Sequence, residues 1–383
     1  MNIIRIYPSQ KEIPVTAFVF SADGHVREPA DLYTEGLPAS LRQFGIRSER
    51  EGDFLVTKAG NHIIHRMQIN KPKPDEIANF GRPNQKGVSD IAARLEDMAM
   101  EGIDAEIVFP SSGLVAFLVE NEDAELGNAE LYNNWLNGLI GGHQDIFIRC
   151  GILPVRNFDY CVQEMKRIAA MGFTSAMLPS IVPTGVPEYN DPSWDKVFDA
   201  AQQLGIVFVL HTGTGREDVR AAKGPGGAII NYTIQMCDAQ RSCMHMIAGG
   251  VLDRFPGVHV AFVESGASWL AALAERLDEV NAAHHMFVMP KLSITPREII
   301  QRQVHASFQY DRACIMSRSV TGTAALMWGS DYPHHEGTFP HSRKVVSELF
   351  NGIDISEQEK ADILGGNAAR LFRLKRPEFA SAA

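Results

Sequence analysis

Short runs of β-branched and apolar residues recur along the chain, and each is followed by a stretch whose apolar positions repeat with helical spacing. The runs are TAFVFSAD ending at Asp23, AEIVFP ending at Pro110, FIRCGILP ending at Pro154, SAMLP ending at Pro179, IVFVLH ending at His211, VHVAFVES ending at Ser265, HASFQY ending at Tyr310 and AALMWGSD ending at Asp331. That count is the one that closes a parallel barrel, and strands apolar throughout fit a sheet covered by helices. The pattern predicts an α/β fold of TIM type, a (β/α)8 barrel forming a single domain over residues 1–383. A doubly wound open sheet is the competing arrangement.

Helix boundaries support this reading. Ser89 is placed to cap IAARLEDMAMEG, with Gly102 just past its end, and Asp191 and Pro192 open WDKVFDAAQQLG, which Gly205 terminates. Three stretches break the repeat: residues 28–87 after the first strand, with the proline-broken run NKPKPDE at their centre, Thr212 to Gly227 after the fifth, and His284 to Thr295 after the sixth. All three are expected at the strand C-terminal face, as substrate-binding loops or lids, with structural decoration or an oligomer contact as the alternative.

Composition narrows the function. Hydrophobic residues make up 45% of the 383 positions and charged residues 21%, which is the ordinary globular class. A formal net charge of -10 offers no basic face for a phosphate backbone, so nucleic acid is not an expected partner. The N-terminal MNIIRIYPSQKEIPVTAF lacks the marks of a signal peptide and no segment is apolar enough to span a bilayer, so a cytoplasmic location without membrane partners is expected. Cys150, Cys161, Cys237, Cys243 and Cys314 form no CxxC pair, and their odd number argues for reduced, mostly core thiols.

The chemistry concentrates at strand ends. Asp23 and His25 stand at i and i+2, so a strand's period of two puts both side chains on one face, where they can chelate one ion. His211 ends the fifth strand and Asp331 the eighth, and closing a barrel brings all of these to one mouth. Two imidazoles and two carboxylates suit a divalent metal, zinc first and manganese or iron as alternatives. Glu264, near the end of the sixth strand, is a candidate general base, second-metal ligand or orienting group. His334 and His335 follow Asp331 in GSDYPHHEGTFPHSR, and either would complete a second metal site or act as an acid. His245 reads as structural on a helix, and His62, His65 and His305 as weaker candidates still.

These residues resemble the amidohydrolase superfamily, specifically the amidohydrolase-related group that contains aminocarboxymuconate semialdehyde decarboxylase and the resorcylate and carboxyvanillate decarboxylases. The resemblance rests on SADGHVREPADLY, ARLEDMAMEGIDAEIVFP, FVLHTG, GGVLDRFPGVHVAFVESGASW, MWGSDYPHHEGTFPHSR and ILGGNAARLF, in that order. It implies a (β/α)8 fold with metal ligands at Asp23, His25, His211 and Asp331. The chain departs from the family pattern in offering Asp23-x-His25 where His-x-His or Glu-x-His is commoner, and in lacking a lysine on the fourth strand, SAMLPS, so no carboxylated-lysine bridge is expected. It also carries Glu264 where the decarboxylating relatives place a catalytic histidine.

The leading expectation is metal-assisted hydrolysis of a small organic substrate, with Asp331 or Glu264 handling the proton of bound water and His335 as a further catalytic candidate. Non-oxidative decarboxylation of an aromatic acid is the first alternative. Oxygen activation at a dinuclear iron or manganese centre and a silent subunit of an active paralogue are the others. Arg27, Tyr33, Arg216 and Trp269 are candidate substrate contacts, and the apolar segment HHMFVMPKL is a candidate contact in a homodimer or other oligomer.

Overall fold

The computed structural model describes residues 18–60, 62–69, 86–218 and 221–376. The expected proline-broken run at 70–76 and the first residues of TAFVFSAD lie outside them.

The sheet runs in parallel through β1 (Phe20–Ser21), β6 (Ala105–Pro110), β7 (Phe147–Ile152), β8 (Ser175–Pro179), β9 (Val207–His211), β10 (Val260–Val263), β11 (Val304–Phe308) and β12 (Leu326–Trp328), in that spatial order, with β2 (His25–Val26) also paired to β6. Closure between the last and first strands is made by Ala22 N–H donating to Trp328 O at 2.9 Å, His25 N–H to Tyr332 O at 2.7 Å and Asp331 N–H to Asp23 O at 3.0 Å. The predicted (β/α)8 barrel is thus the observed one, with helices between the strands.

The physical cause is the one expected. β6 to β12 are buried at every position, because a barrel strand faces side chains of its neighbours inside and helices outside. The first strand differs: its pairing with β6 is interrupted between Ser21 and His25, so Asp23 sits in a break of that ladder while its carbonyl still accepts from Asp331 N–H.

Two boundary expectations hold and one shifts by a residue. Gly102 and Gly205 end their helices in left-handed conformation, at φ 72° and 65°. The cap of Ile91–Glu101 is Asp90, not Ser89, since the Asp90 carboxylate accepts from Ala92 and Ala93 N–H.

The insertion after the first strand contains an antiparallel meander, β3 (Ile46–Glu51), β4 (Phe54–Ala59) and β5 (His62–Gln68). The stretch from His284 to Thr295 does not belong to the mouth. It follows the helix Trp269–Ala283, and Ser293 hydrogen-bonds Asp253 on the short helix that precedes β10, at the strands' N-terminal end. Its Met286, Phe287 and Met289 are 76–81% exposed. Among the described residues no helix is long and apolar enough to cross a membrane.

Candidate metal centre at the barrel mouth

Asp23, His25, His211 and Asp331 are all fully buried and meet at the C-terminal ends of the strands. His25 Nδ1 lies 2.8 Å from Pro110 O and His211 Nδ1 lies 3.0 Å from Thr212 O. A carbonyl only accepts, so each ring carries its proton on Nδ1 and turns an Nε2 lone pair inward. The two Nε2 atoms stand 3.2 Å apart. Two lone pairs facing each other repel, but two nitrogens on one ion at about 2.1 Å are separated by roughly 3.0–3.4 Å.

The carboxylates tell the same story. Asp23 Oδ1 is 3.6 Å from both Nε2 atoms and Asp331 Oδ1 is 3.7 Å from that of His25. Both oxygens of Asp23 and Oδ2 of Asp331 are buried with no hydrogen-bond partner among the described residues. Orphaned buried carboxylate oxygens are costly, and a cation relieves that cost. The donor set of oxygen and imidazole nitrogen therefore fits a divalent transition metal.

Glu264 and His334 enlarge the cluster. One ligand-type atom from each of His25, Glu264, Asp331 and His334 lies within 4.8 Å of the others, as does one from each of Asp23, His25 and His211. His334 Nδ1 is 2.8 Å from Asp331 Oδ1, and its ring centroid is 4.3 Å from that of His25. Glu264 Oε2 lies 3.6 Å from His211 Nδ1. His335 is exposed and stands in neither group, so of the two adjacent histidines it is His334 that faces the cluster.

Electrostatics follow from crowding. Burial, and then repulsion by Asp331, pushes the Glu264 carboxyl well above the usual range; burial, and then Asp23, does the same to Asp331. Burial holds His25 neutral, reinforced by His334 and His211. Burial also works against charge on His211, but Asp23 and Glu264 outweigh it and raise its pKa. A bound cation would invert this logic for the carboxylates and keep them ionised.

Glu264 and Asp331 hold their backbones at φ 60° and 54°, a region that non-glycine residues rarely occupy. Among the described residues only Arg373 shares this property. The cost, of order 1–3 kcal/mol per residue, is carried by the surrounding bonds. Glu264 N–H donates to Ser307 Oγ at 3.1 Å, and Asp311 accepts from Ala267 and Ser268 N–H at 2.9 and 2.7 Å, tying the loop after β10 to that after β11.

Among the described residues the other candidates stand outside the two clusters. His245 bonds Asn190, and His305 pairs with His259 at the strand N-termini. His62 sits on the meander, while the His65 side chain lies outside the described residues. Arg216 is clamped by Asp238, Trp269 is buried, Tyr33 is buried against Glu28, and Arg27 is exposed. A residue that sequence reasoning passed over is Glu28. Its buried carboxylate accepts from Ser111, Ser112 and Gly113 N–H at 3.1, 3.0 and 2.7 Å and from Tyr33 Oη at 3.0 Å, fastening the loop after β2 to that after β6. Its signal was faint, an acid five residues before a tyrosine in VREPADLY, a segment that also carries Arg27 and Asp31.

Comparison with known proteins agrees with this architecture. Over 300 residues the chain is 24% identical to 2-amino-3-carboxymuconate-6-semialdehyde decarboxylase of Dictyostelium discoideum, covering 77% of this chain and 80% of that one. It superposes on an amidohydrolase from Mycobacterium avium subsp. paratuberculosis with a TM-score of 0.77 at 20% identity, covering 94% and 100% of the two chains. The 5-carboxyvanillate decarboxylase of Novosphingobium aromaticivorans, solved with bound manganese, superposes with a TM-score of 0.68 at 16% identity over 94% and 98%. The family model described as amidohydrolase matches residues 55–374, beginning after the segment that carries Asp23 and His25. With most of its length matched and the same barrel beneath it, the chain belongs to the amidohydrolase family.

Proposed function

We propose that this protein is a metal-dependent, non-oxidative decarboxylase of a small aromatic or unsaturated carboxylic acid, with Asp23, His25, His211 and Asp331 as the metal ligands. The observation that carries the reading is the inward-facing Nε2 pair, 3.2 Å apart and flanked by orphaned carboxylate oxygens. The reaction class is supported by the decarboxylase relative.

Held by Asp23, His25, His211 and Asp331, a divalent ion would supply Lewis-acid chemistry toward an oxygen of the substrate. The protein's own residues do the rest. Phe109, with its ring centroid 5.1 Å from that of His211, walls the site with apolar surface and limits water. Glu264, which lies outside the four proposed ligands with Oε2 3.6 Å from His211 Nδ1, is the acid that donates a proton to the carbon that bears the carboxylate. The bond from that carbon to the carboxylate then breaks, its electron pair returns to the conjugated system, and carbon dioxide leaves. His334, about one-third exposed beside Asp331, passes a proton from solvent back to Glu264.

Hydrolysis, the first expectation from the ligand set, becomes the second reading. It is favoured by the proximity of Glu264 to His211, which would let an ionised Glu264 act as base toward water. Manganese is the metal to load first, on the precedent of the carboxyvanillate enzyme. The deciding experiment incubates manganese-loaded protein with a panel of carboxyl-13C-labelled hydroxybenzoates and unsaturated dicarboxylates and follows labelled carbon dioxide. Release that disappears in Glu264→Gln supports the proposal. Turnover of esters or amides by the same preparation, with no labelled carbon dioxide from any acid, would transfer the assignment to hydrolysis.

A further inference from the structure

We infer that the buried Arg94–Glu106 pair, threaded beneath Gly24, is the positioning unit that holds Asp23 and His25 in chelating geometry and ties them to the Asp331 loop. The inference rests on the metal-binding reading of the mouth but not on decarboxylation.

It starts from the break in the first strand. Between Ser21 and His25 the pairing with β6 is interrupted, and on the side of β12 the segment is held by Ala22 N–H to Trp328 O and Asp331 N–H to Asp23 O, yet it must aim two side chains at one point. A few backbone bonds remain, such as Gly24 O accepting from Phe109 N–H at 2.8 Å. Arg94, on the helix Ile91–Glu101, supplies another from a buried side chain: its Nη1 donates to His25 O at 3.0 Å. Its Nε and Nη2 donate to Glu106 Oε2 at 2.9 and 2.6 Å, so the guanidinium plane is fixed from its other edge.

The same cation reaches the eighth strand's loop. Arg94 Cζ lies 3.8 Å from the centroid of the Tyr332 ring, Tyr332 follows Asp331, and Tyr332 O accepts from His25 N–H. Tyr332 Oη donates in turn to Asp97 at 2.7 Å, one turn along the Arg94 helix. Arg94 therefore touches the two chain segments that carry His25 and Asp331.

Gly24 is the space this arrangement needs. A Cβ there would overlap Glu106 Oε1 and stand 2.7 Å from Arg94 Nη2. Glu106 Oε1 thus fills the gap under the Gly24 backbone between the two chelating residues.

Isothermal titration with Mn2+ of metal-free protein separates positioning from mere stability. Single variants Arg94→Met and Glu106→Leu each strand a buried charge and are expected to lower the melting temperature; the double variant Arg94→Met/Glu106→Leu removes both charges and recovers most of it. If the pair positions the chelate, the double variant still binds Mn2+ 10- to 100-fold more weakly than wild type, the usual size of a supporting-shell effect. Gly24→Ala, which leaves both charges in place, weakens binding in the same direction. A double variant that melts like wild type and binds Mn2+ with wild-type affinity overturns the inference. Absence of Mn2+ binding by the wild type overturns both it and the metal reading.

Discussion

Replacing Asp331 with asparagine should stabilise the metal-free protein and abolish the stabilisation that metal confers. Asp331 Oδ1 and Asp23 Oδ1 lie 3.7 and 3.6 Å from the same His25 nitrogen, so without a cation two buried carboxylates share one small space. Two unit charges roughly 5 Å apart at an effective dielectric near 20 repel by about 3 kcal/mol. Protonation of Asp331, whose carboxyl is pushed up by burial and by Asp23, relieves part of this, leaving a gain of about 1–2 kcal/mol for the neutral amide. Asparagine also tolerates the left-handed backbone at this position. For a chain of 383 residues, each kcal/mol shifts the melting temperature by about 1 °C. The variant should therefore melt about 1–2 °C higher than wild type in chelator. Mn2+ at 100 times the wild-type Kd should raise wild type by about 3 °C and the variant by less than about 1 °C. Calorimetry in chelator and in Mn2+ measures all four values. A variant that is less stable in chelator, or that gains as much from Mn2+ as wild type, would refute the reasoning.

Two further outcomes are expected. His334→Ala should slow carbon dioxide release at least tenfold while His335→Ala leaves it within twofold, because only His334 stands against Asp331; steady-state rates on one substrate decide it. Burial pushes the Glu125 carboxyl up to about 7, so its folded pKa exceeds its unfolded one; its favourable contribution is present below the unfolded pKa and is lost as pH rises through about 7. Glu125→Gln should thus gain stability relative to wild type by about 3 kcal/mol between pH 5 and pH 8, read from urea unfolding at both values.

The barrel was legible because its strands are apolar on both faces and its helices are closed by glycines such as Gly102 and Gly205, signals that are local in sequence. The convergence of Asp23, His25, His211 and Asp331 followed from topology alone, since strand ends of one barrel meet. The choice between His334 and His335 did not, because it depends on the path of a turn that begins at Asp331 with φ 54°. The break in the first strand was hidden for a similar reason: TAFVFSAD reads as continuous, and only the pairing partners reveal where the ladder stops. His284 to Thr295 lies away from the mouth at which the repeat predicts it, because the helix Trp269–Ala283 first carries the chain from β10 to the opposite end of the barrel. Arg94 and Glu106 left a fainter trace, a charged residue inside the strand AEIVFP and one on the inward face of the preceding helix. Charges in such positions are rarely fully buried without a partner, which is the cue a sequence reader could have taken.

Both the proposed reaction and the proposed role of Arg94 and Glu106 require the barrel mouth to be a metal centre. Elemental analysis of protein purified without added metal, alongside His211→Ala and Asp23→Asn, tests it most directly. At least about one divalent transition-metal ion per chain in wild type, falling below about one-tenth in both variants with their fold intact by circular dichroism, is the predicted result. A wild-type protein with no stoichiometric metal, and none acquired on incubation with manganese, zinc or ferrous iron, would contradict it.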